Sequence, residues 1–242
     1  MVDLKKELDA LLDRSPDAAQ VREALETLFS VFPFNEYEYI ISHLLGNDIL
    51  TLGQYSELRD EYIARNMYLY IFEISGPRTF GESWAQGHLK ELVPDLSKST
   101  KKLDPEYSGQ YDFLLDGKIK IEVKASRGVH SELEGPLYVR ALASDSGMPF
   151  WMNFQQVKCG CCDVFVWVAV WRDVIKYWVL SSAEVGGNRH YSKGQHRGNT
   201  GEGQLHITQD NISDFDQYAV PSNRLGKAIR AAYKRQKASS LE

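Results

Sequence analysis

No stretch of this chain approaches the ~18 consecutive apolar residues of a membrane-spanning helix. The longest apolar run, Val164 to Trp171, suits a buried strand instead. The opening residues, Met1-Val2-Asp3-Leu4-Lys5-Lys6, lead into an amphipathic pattern and lack the apolar core of a signal peptide. The expectation is a cytoplasmic protein with no membrane partner. Cysteine is scarce: the three residues Cys159, Cys161 and Cys162 crowd into one short segment. A structural zinc site needs a complete tetrahedral ligand set, and no second Cys/His pair stands at the usual spacing, although His130 could be recruited. Reduced thiols at the mouth of a buried strand are the plainer reading. Positive charge is also short. The net charge is -5, which for the chain taken whole argues against a nucleic-acid binder.

That sum hides a segregation. Residues 1–110 hold 11 Lys/Arg against 19 Asp/Glu, a balance of -8, whereas residues 111–242 hold 17 against 14, a balance of +3. Binding follows local potential rather than the whole-chain sum. What the chain does have is apolar material: 43% of its 242 residues are hydrophobic and 12% aromatic. One sizeable core with a helical extension follows. Repeats and low-complexity tracts are absent. The terminal Leu241-Glu242 resembles a cloning scar and carries no argument.

The first third reads as helices. Ser15-Pro16-Asp17 supplies an N-cap, a proline for the first helical position and a first-turn acid, ahead of Val21, Leu25, Leu28 and Phe29 on one face. Asn35 starts a second helix through Tyr39, Ile40 and Leu44 to Gly46. Thr51 opens a long third one carrying Leu58, Tyr62, Tyr68 and Phe72, ended by Gly76-Pro77. A further helix spans about Thr79 to Leu92, closed by Pro94. The predicted division is a helical region over 1–76, packed on or extending as an arm from a core over 77–242.

From Tyr111 the period changes. Tyr111–Leu115 and Ile119–Ala125 are strand-like runs flanking Asp116-Gly117, a strong hairpin signal. Leu137–Leu142 reads as a third strand and Pro149–Val157 as a short helix. Asp163–Trp171 and Val174–Leu180 read as two more strands, the first central because it is apolar on both faces. The fold class predicted is α/β, with a mixed central β-sheet flanked by helices. Residues 186–203 form a glycine-rich polar loop. The closing helix, about Ser222 to Lys237, spaces Lys227, Arg230, Lys234 and Lys237 by 3, 4 and 3, on one face.

Hydrolysing a phosphodiester requires a hard cation held through oxygens, a water aimed in line, and neutralisation of charge at phosphorus. Two carboxylates and an ammonium converging on a point would suffice. Glu122 and Lys124 stand two apart on a predicted strand and so share a face, while Ile121, Val123 and Ala125 turn to the core. Asp112 joins them only in one register. A two-residue Asp116-Gly117 loop pairs it with Ile121 and turns it to the wrong face. The longer loop Asp116-Gly117-Lys118, or a bulge, pairs it with Glu122. An exposed charged hairpin would carry the same letters, so position in the fold matters more than the motif.

Asp112…Glu122-Val123-Lys124 resembles the signature of the PD-(D/E)xK nuclease superfamily, and the expected element order resembles its αβββαβ core, over roughly residues 78–172. The resemblance implies that Asp112 and Glu122 bind catalytic Mg²⁺ with the Val123 carbonyl, and that Lys124 orients or activates water and stabilises charge. Glu82, on the preceding helix, fits the position of a further metal carboxylate in many members. The residue before Asp112 is Tyr111 where the family often has proline. In size and layout the chain is most similar to type II restriction endonucleases. That implies cleavage of double-stranded DNA at a short sequence, leaving 5′-phosphate and 3′-hydroxyl ends, a homodimer, and a cognate DNA methyltransferase in the host. Arg189 and Lys193 are then candidates for DNA contact, and Gln195, His196, Arg197, Asn199 and Thr200 for base reading. Lys227, Arg230 and Lys234 are candidates for phosphate contact. Other readings stand beside this one: a repair or junction nuclease of the superfamily, a non-catalytic DNA-binding protein on that fold, or a histidine-based metal site from His190, His196, Asn199 and His206. His43 and His88 fall on helical segments and read as packed or surface residues.

Overall fold

A computed structural model describes residues 2–26, 36–194 and 201–239. It divides into two compact units, Met1–Asn66 and Met67–Glu242. The first unit is helical: α1 (Val2–Leu12), α2 (Ala18–Glu26), α3 (Glu36–Gly46) and α4 (Leu52–Arg65). Leu8, Ile40, Leu44 and Leu50 make its buried centre, with Leu25, Tyr55 and Leu58 against them. Thr51 caps α4 through a reciprocal box with Gln54.

This helix stops well before Gly76, contrary to the sequence expectation. Asn66 leaves the helical conformation and its side-chain amide donates to the Tyr62 carbonyl, 2.7 Å away. Tyr68 and Phe72 belong to the other unit. The Tyr68 N–H donates to the Arg172 carbonyl at 2.8 Å, and Ile71 and Phe72, on a 3-10 turn (Leu69–Glu73), are buried there. The division between the units therefore falls after residue 66 rather than after 76.

The second unit is a mixed α/β assembly. Its central sheet has the order β1 (Ser97–Lys98), β2 (Phe113–Leu115), β3 (Ile119–Arg127), β6 (Val164–Val170), β7 (Ile175–Ser181). β3 and β6 pair in parallel and the other neighbours are antiparallel. A second sheet stacks on it, in the order β4 (Val129–His130), β5 (Phe150–Val157), β9 (Gly203–Thr208), β8 (Tyr191–Lys193). One face of the central sheet packs Ile121, Val123, Val166 and Val168 against Leu89 of α5 (Gln86–Leu92) and Leu225 and Ile229 of α8 (Leu225–Ser239). The opposite face packs Phe165, Trp167 and Trp178 against Phe150, Met152, Phe154, Leu205 and Ile207 of the second sheet. β6 is buried at every position, as a strand covered on both faces must be.

Two sequence expectations exchange places. Leu137–Arg140 is a single helical turn, α6, because Pro136 starts it and accepts from the N–H groups of Val139 and Arg140. Phe150–Val157 is a strand, not a helix. Phe150, Met152 and Phe154 are buried while Trp151 and Gln155 are exposed, a period of two that the leading proline disguised. The segment Thr79–Ala85 ahead of α5 winds as a π-helix. The short helix α7 (Ser182–Gly186) is capped by Ser181 and Glu184.

Candidate active site

The geometry starts at the β2–β3 turn. Leu115 pairs with Ile119, Leu114 with Lys120 and Phe113 with Ile121, so Asp116-Gly117-Lys118 forms the loop and Asp112 is the residue just beyond the last pair, as Glu122 is on the other strand. Asp116 and Gly117 both have positive φ, 55° and 66°. Glycine takes that conformation freely, and aspartate is among the few other residues that tolerate it. The Asp116 carboxylate meets the Arg230 guanidinium in two hydrogen bonds of 2.8 Å, which fastens the turn to α8. The longer of the two possible loops is the one present, and the Asp112 and Glu122 carboxyls come into hydrogen-bonding contact beside it.

Beyond Phe113 the ladder opens. The Asp112 N–H still donates to the Ile121 carbonyl at 2.9 Å, and the Asp112 carboxylate accepts from the Val123 N–H at 2.8 Å. A strand residue points its N–H and C=O to the same side, so the Val123 carbonyl faces the edge where Asp112 lies. Glu122 and Lys124 pair with Phe165 and Trp167 of β6, which puts them on the face turned to the second sheet. The Lys124 ammonium lies 2.8 Å from Glu122 Oε1, with only 14% and 15% of the two side chains exposed.

This placement at the border of an apolar layer sets the protonation. Burial pushes the Glu122 carboxyl up to about 7; Lys124 pulls against that shift and the neighbouring Asp112 adds to it. Burial likewise raises Asp112, opposed by its Val123 N–H contact and by Lys98 and Lys124. The two carboxyls are hydrogen-bonding neighbours, so their protons belong to the pair. A pair of buried carboxylates that cannot both ionise cheaply is a donor set a hard divalent cation suits. Its two positive charges would offset the burial cost and the smaller repulsion of Glu122 by Asp112 that together hold the proton, and the donors are all oxygen. Asp112, Glu122 and the Val123 carbonyl are the groups that would hold it.

The fourth ligand expected from sequence is placed elsewhere. Glu82 is exposed and pairs with Arg78 at 3.4 Å. Among the described residues no group of three or more His, Cys, Asp or Glu comes together to hold a metal. The helical residue that reaches the centre is Gln86, one turn further on and buried. Its amide nitrogen donates to Asp112 Oδ1 at 2.6 Å, and its oxygen accepts from the Lys98 ammonium. The Lys98 partner fixes which end of the carboxamide is which, because an ammonium can only donate. The sequence leads to the expectation of an acid on this helix; the side chain that reaches the centre is an amide. Lys98 lies on a two-residue edge strand, too short to show any period.

Tyr107 and Cys161 also border the centre. Burial raises the Tyr107 phenol, with added contributions from Asp112 and Glu122. Cys161, on the β5–β6 connection, is lowered chiefly by a hydrogen bond with Cys162, and it senses both Glu122 and Lys124. Cys162 is buried with its thiol pushed up, next to Ser182. All three cysteines are free thiols.

The expected DNA-contacting residues are dispersed. Gln195, His196, Arg197, Asn199 and Thr200 lie outside the described residues. Arg189 donates to Asp214, and Lys193 is exposed on β8. Lys227 and Lys234 are exposed on α8. Arg230, however, is taken up by Asp116, with Asp95 at 3.6 Å, and Lys237 lies 3.3 Å from Asp163, so the basic stripe is partly neutralised within the protein. His190 pairs with Asp214 at 2.6 Å, and His206 accepts the Trp151 indole N–H at 3.0 Å; the two do not converge on a shared site with a third ligand among the described residues. No protein-family model matches this chain, and no curated protein matches it either.

Proposed function

We propose that this protein is a Mg²⁺-dependent nuclease that hydrolyses phosphodiester bonds at the Asp112/Glu122/Lys124 centre. The observation that carries the reading is the convergence of two buried carboxylates and one ammonium at the open end of the β2–β3 ladder. Bound Mg²⁺ supplies Lewis acidity toward the phosphoryl oxygen. Asp112 and Glu122 supply the anionic oxygens that retain it, and the Val123 N–H and Gln86 amide hold Asp112 in one orientation. Lys124 has a further donor capacity beyond its Glu122 contact, which it directs at the attacking water or at charge developing on phosphorus. The apolar layer of Phe165 and Trp167 behind the centre limits solvent and strengthens each of these interactions.

In its finer form the reading is a type II restriction endonuclease on the superfamily's core fold. It acts on double-stranded DNA as a homodimer, leaves 5′-phosphate and 3′-hydroxyl ends, and has a methyltransferase partner in the host. The mixed central sheet with flanking helices supports that form, as does the place of the acidic pair on its first hairpin. The test is incubation with plasmid and phage DNA in Mg²⁺ or EDTA, followed by sequencing of the ends. Unique ends produced only with Mg²⁺ support the restriction reading. Scattered ends would leave a nuclease without sequence choice, and intact DNA in Mg²⁺ would overturn the proposal.

A further inference from the structure

Several cations near the surface of the second unit are already held in ion pairs. Arg230 is held by Asp116, Arg235 by Glu184, Lys237 by Asp163, Arg189 by Asp214, Lys158 by Glu202 and Lys120 by Asp104. Each such pair subtracts from the field a polyanion would meet. Among the exposed lysines without a salt bridge, the segment Lys98-Ser99-Thr100-Lys101-Lys102 concentrates three ammonium groups in five residues, all three exposed. None makes a salt bridge among the described residues, and the charge of Lys98 is felt at the Asp112 carboxylate. The acid that follows, Asp104, is held by Lys120 and by the Tyr111 hydroxyl at 2.6 Å, and so is turned away from them.

The segment is also anchored at the centre. The Ser99 N–H donates to the Asp112 carbonyl at 3.1 Å, and Lys98 pairs in the ladder with Phe113, the residue after Asp112. The Lys98 ammonium lies 5.1 Å from the Phe113 ring centroid and donates to the Gln86 oxygen, a neutral acceptor. Beyond it the chain turns tightly, with the N–H groups of Leu103 and Asp104 both donating to the Thr100 carbonyl, and so presents Lys101 and Lys102 outward. An exposed ammonium bound to one neutral oxygen retains two donors and its full charge. That is what a phosphate diester can use.

We propose that Lys98, Lys101 and Lys102 form the phosphate-binding rail of this protein, along which a duplex DNA backbone is led to the Asp112/Glu122/Lys124 centre. Lys98 exchanges its Gln86 partner for the phosphate nearest the centre, and the other two hold phosphates farther along the same strand. The inference rests on the nuclease reading, and it places sequence-independent contact here rather than on α8. Both choices offer exposed lysines, but on α8 the middle of the stripe, Arg230, is already committed to Asp116.

The test is binding of a fluorescent random-sequence DNA duplex in EDTA, where no cleavage occurs, at a series of salt concentrations. Wild type is compared with K98M, with K98M/K101M/K102M and with K227M/K234M. Removing one lysine–phosphate ion pair lowers the slope of log affinity against log salt by about 0.9. The expected result is a decrease of about 0.9 for K98M and about 2 to 3 for the triple variant, with K227M/K234M near wild type. K98R, which keeps the charge, should restore the slope. A triple variant that keeps the wild-type slope, or a decrease confined to K227M/K234M, overturns the rail while leaving the nuclease reading intact if wild type still cleaves in Mg²⁺. Wild type that neither binds nor cleaves duplex DNA overturns both.

Discussion

At the scale of single residues, Glu122 couples folding, protonation and the proposed metal site. A carboxyl whose pKa rises on folding binds its proton more tightly in the native state, so its ionisation favours unfolding. The sign follows: stability from this group is greatest below its ordinary value of 4.5 and is lost as pH climbs to about 7. In EDTA, the melting temperature of wild type should therefore fall relative to that of E122Q between about pH 5 and pH 8, and Mg²⁺ should close the gap at the upper end. A constant difference across that range would mean that Glu122 is not held protonated by burial. The same linkage predicts that Mg²⁺ affinity weakens by up to ~10-fold per pH unit below about 7, because a proton must leave before the ion is bound. Titration calorimetry at two pH values measures it.

Gln86 gives a second residue-scale prediction. Its amide donates to Asp112, so Gln86→Glu replaces a donor with a third anion beside two buried carboxylates. Melting in EDTA near pH 8 should drop below wild type, and added Mg²⁺ should raise it by more than it raises wild type. Equal Mg²⁺ responses in the two proteins would show that residue 86 does not address the ion's position.

At the scale of elements, the pieces with a strong local pattern were legible in the sequence. Thr51 marked the start of α4, and Asp116-Gly117 marked the hairpin that sets the register of Asp112. Both rest on short-range chemistry that a few neighbouring side chains decide. Thr51→Ala should cost the first unit ~1 kcal/mol by removing the cap, read as an earlier melting of that unit with cleavage unchanged. What the sequence did not show depends on distant partners. The end of α4 is set by what Tyr68 and Phe72 bury against, and β5 is a strand because it pairs with β9 and its alternate residues meet β6 across the sheet interface. Gln86 and Lys98 gain their place through one another, with no spacing rule to mark them.

Gly128 is another such element-scale feature, at the point where the chain passes from β3 in one sheet to β4 in the other. A Cβ there would meet Trp171 Nε1 at 2.7 Å, and the Gly128 N–H is tied to the Val170 carbonyl at 2.8 Å, so neither side can yield easily. Gly128→Ala should destabilise the second unit by about 1–3 kcal/mol. Denaturant unfolding checks it, and a change below ~0.5 kcal/mol would show that the indole repacks freely.

At the scale of the whole molecule, two cores are drawn from separate stretches of chain. The helical unit buries residues no later than Leu58, and the two layers of the α/β unit bury none before Tyr68, among the described residues. Residues 67–242 expressed alone should fold cooperatively and keep the metal-dependent chemistry, since every group assigned to the centre lies within them. The net acidity of residues 1–110 does not contradict contact with a polyanion, because the lysines of residues 98–102 sit at its far end, beside Asp112. The most direct test of the centre is single-turnover cleavage of supercoiled plasmid by wild type, D112N, E122Q and K124M, each with Mg²⁺ and with EDTA. The account predicts cleavage by wild type with Mg²⁺ only, and a decrease of ~100-fold or more in each variant with folding and DNA binding retained. Wild-type cleavage that persists in EDTA, or a D112N protein as active as wild type, would contradict it.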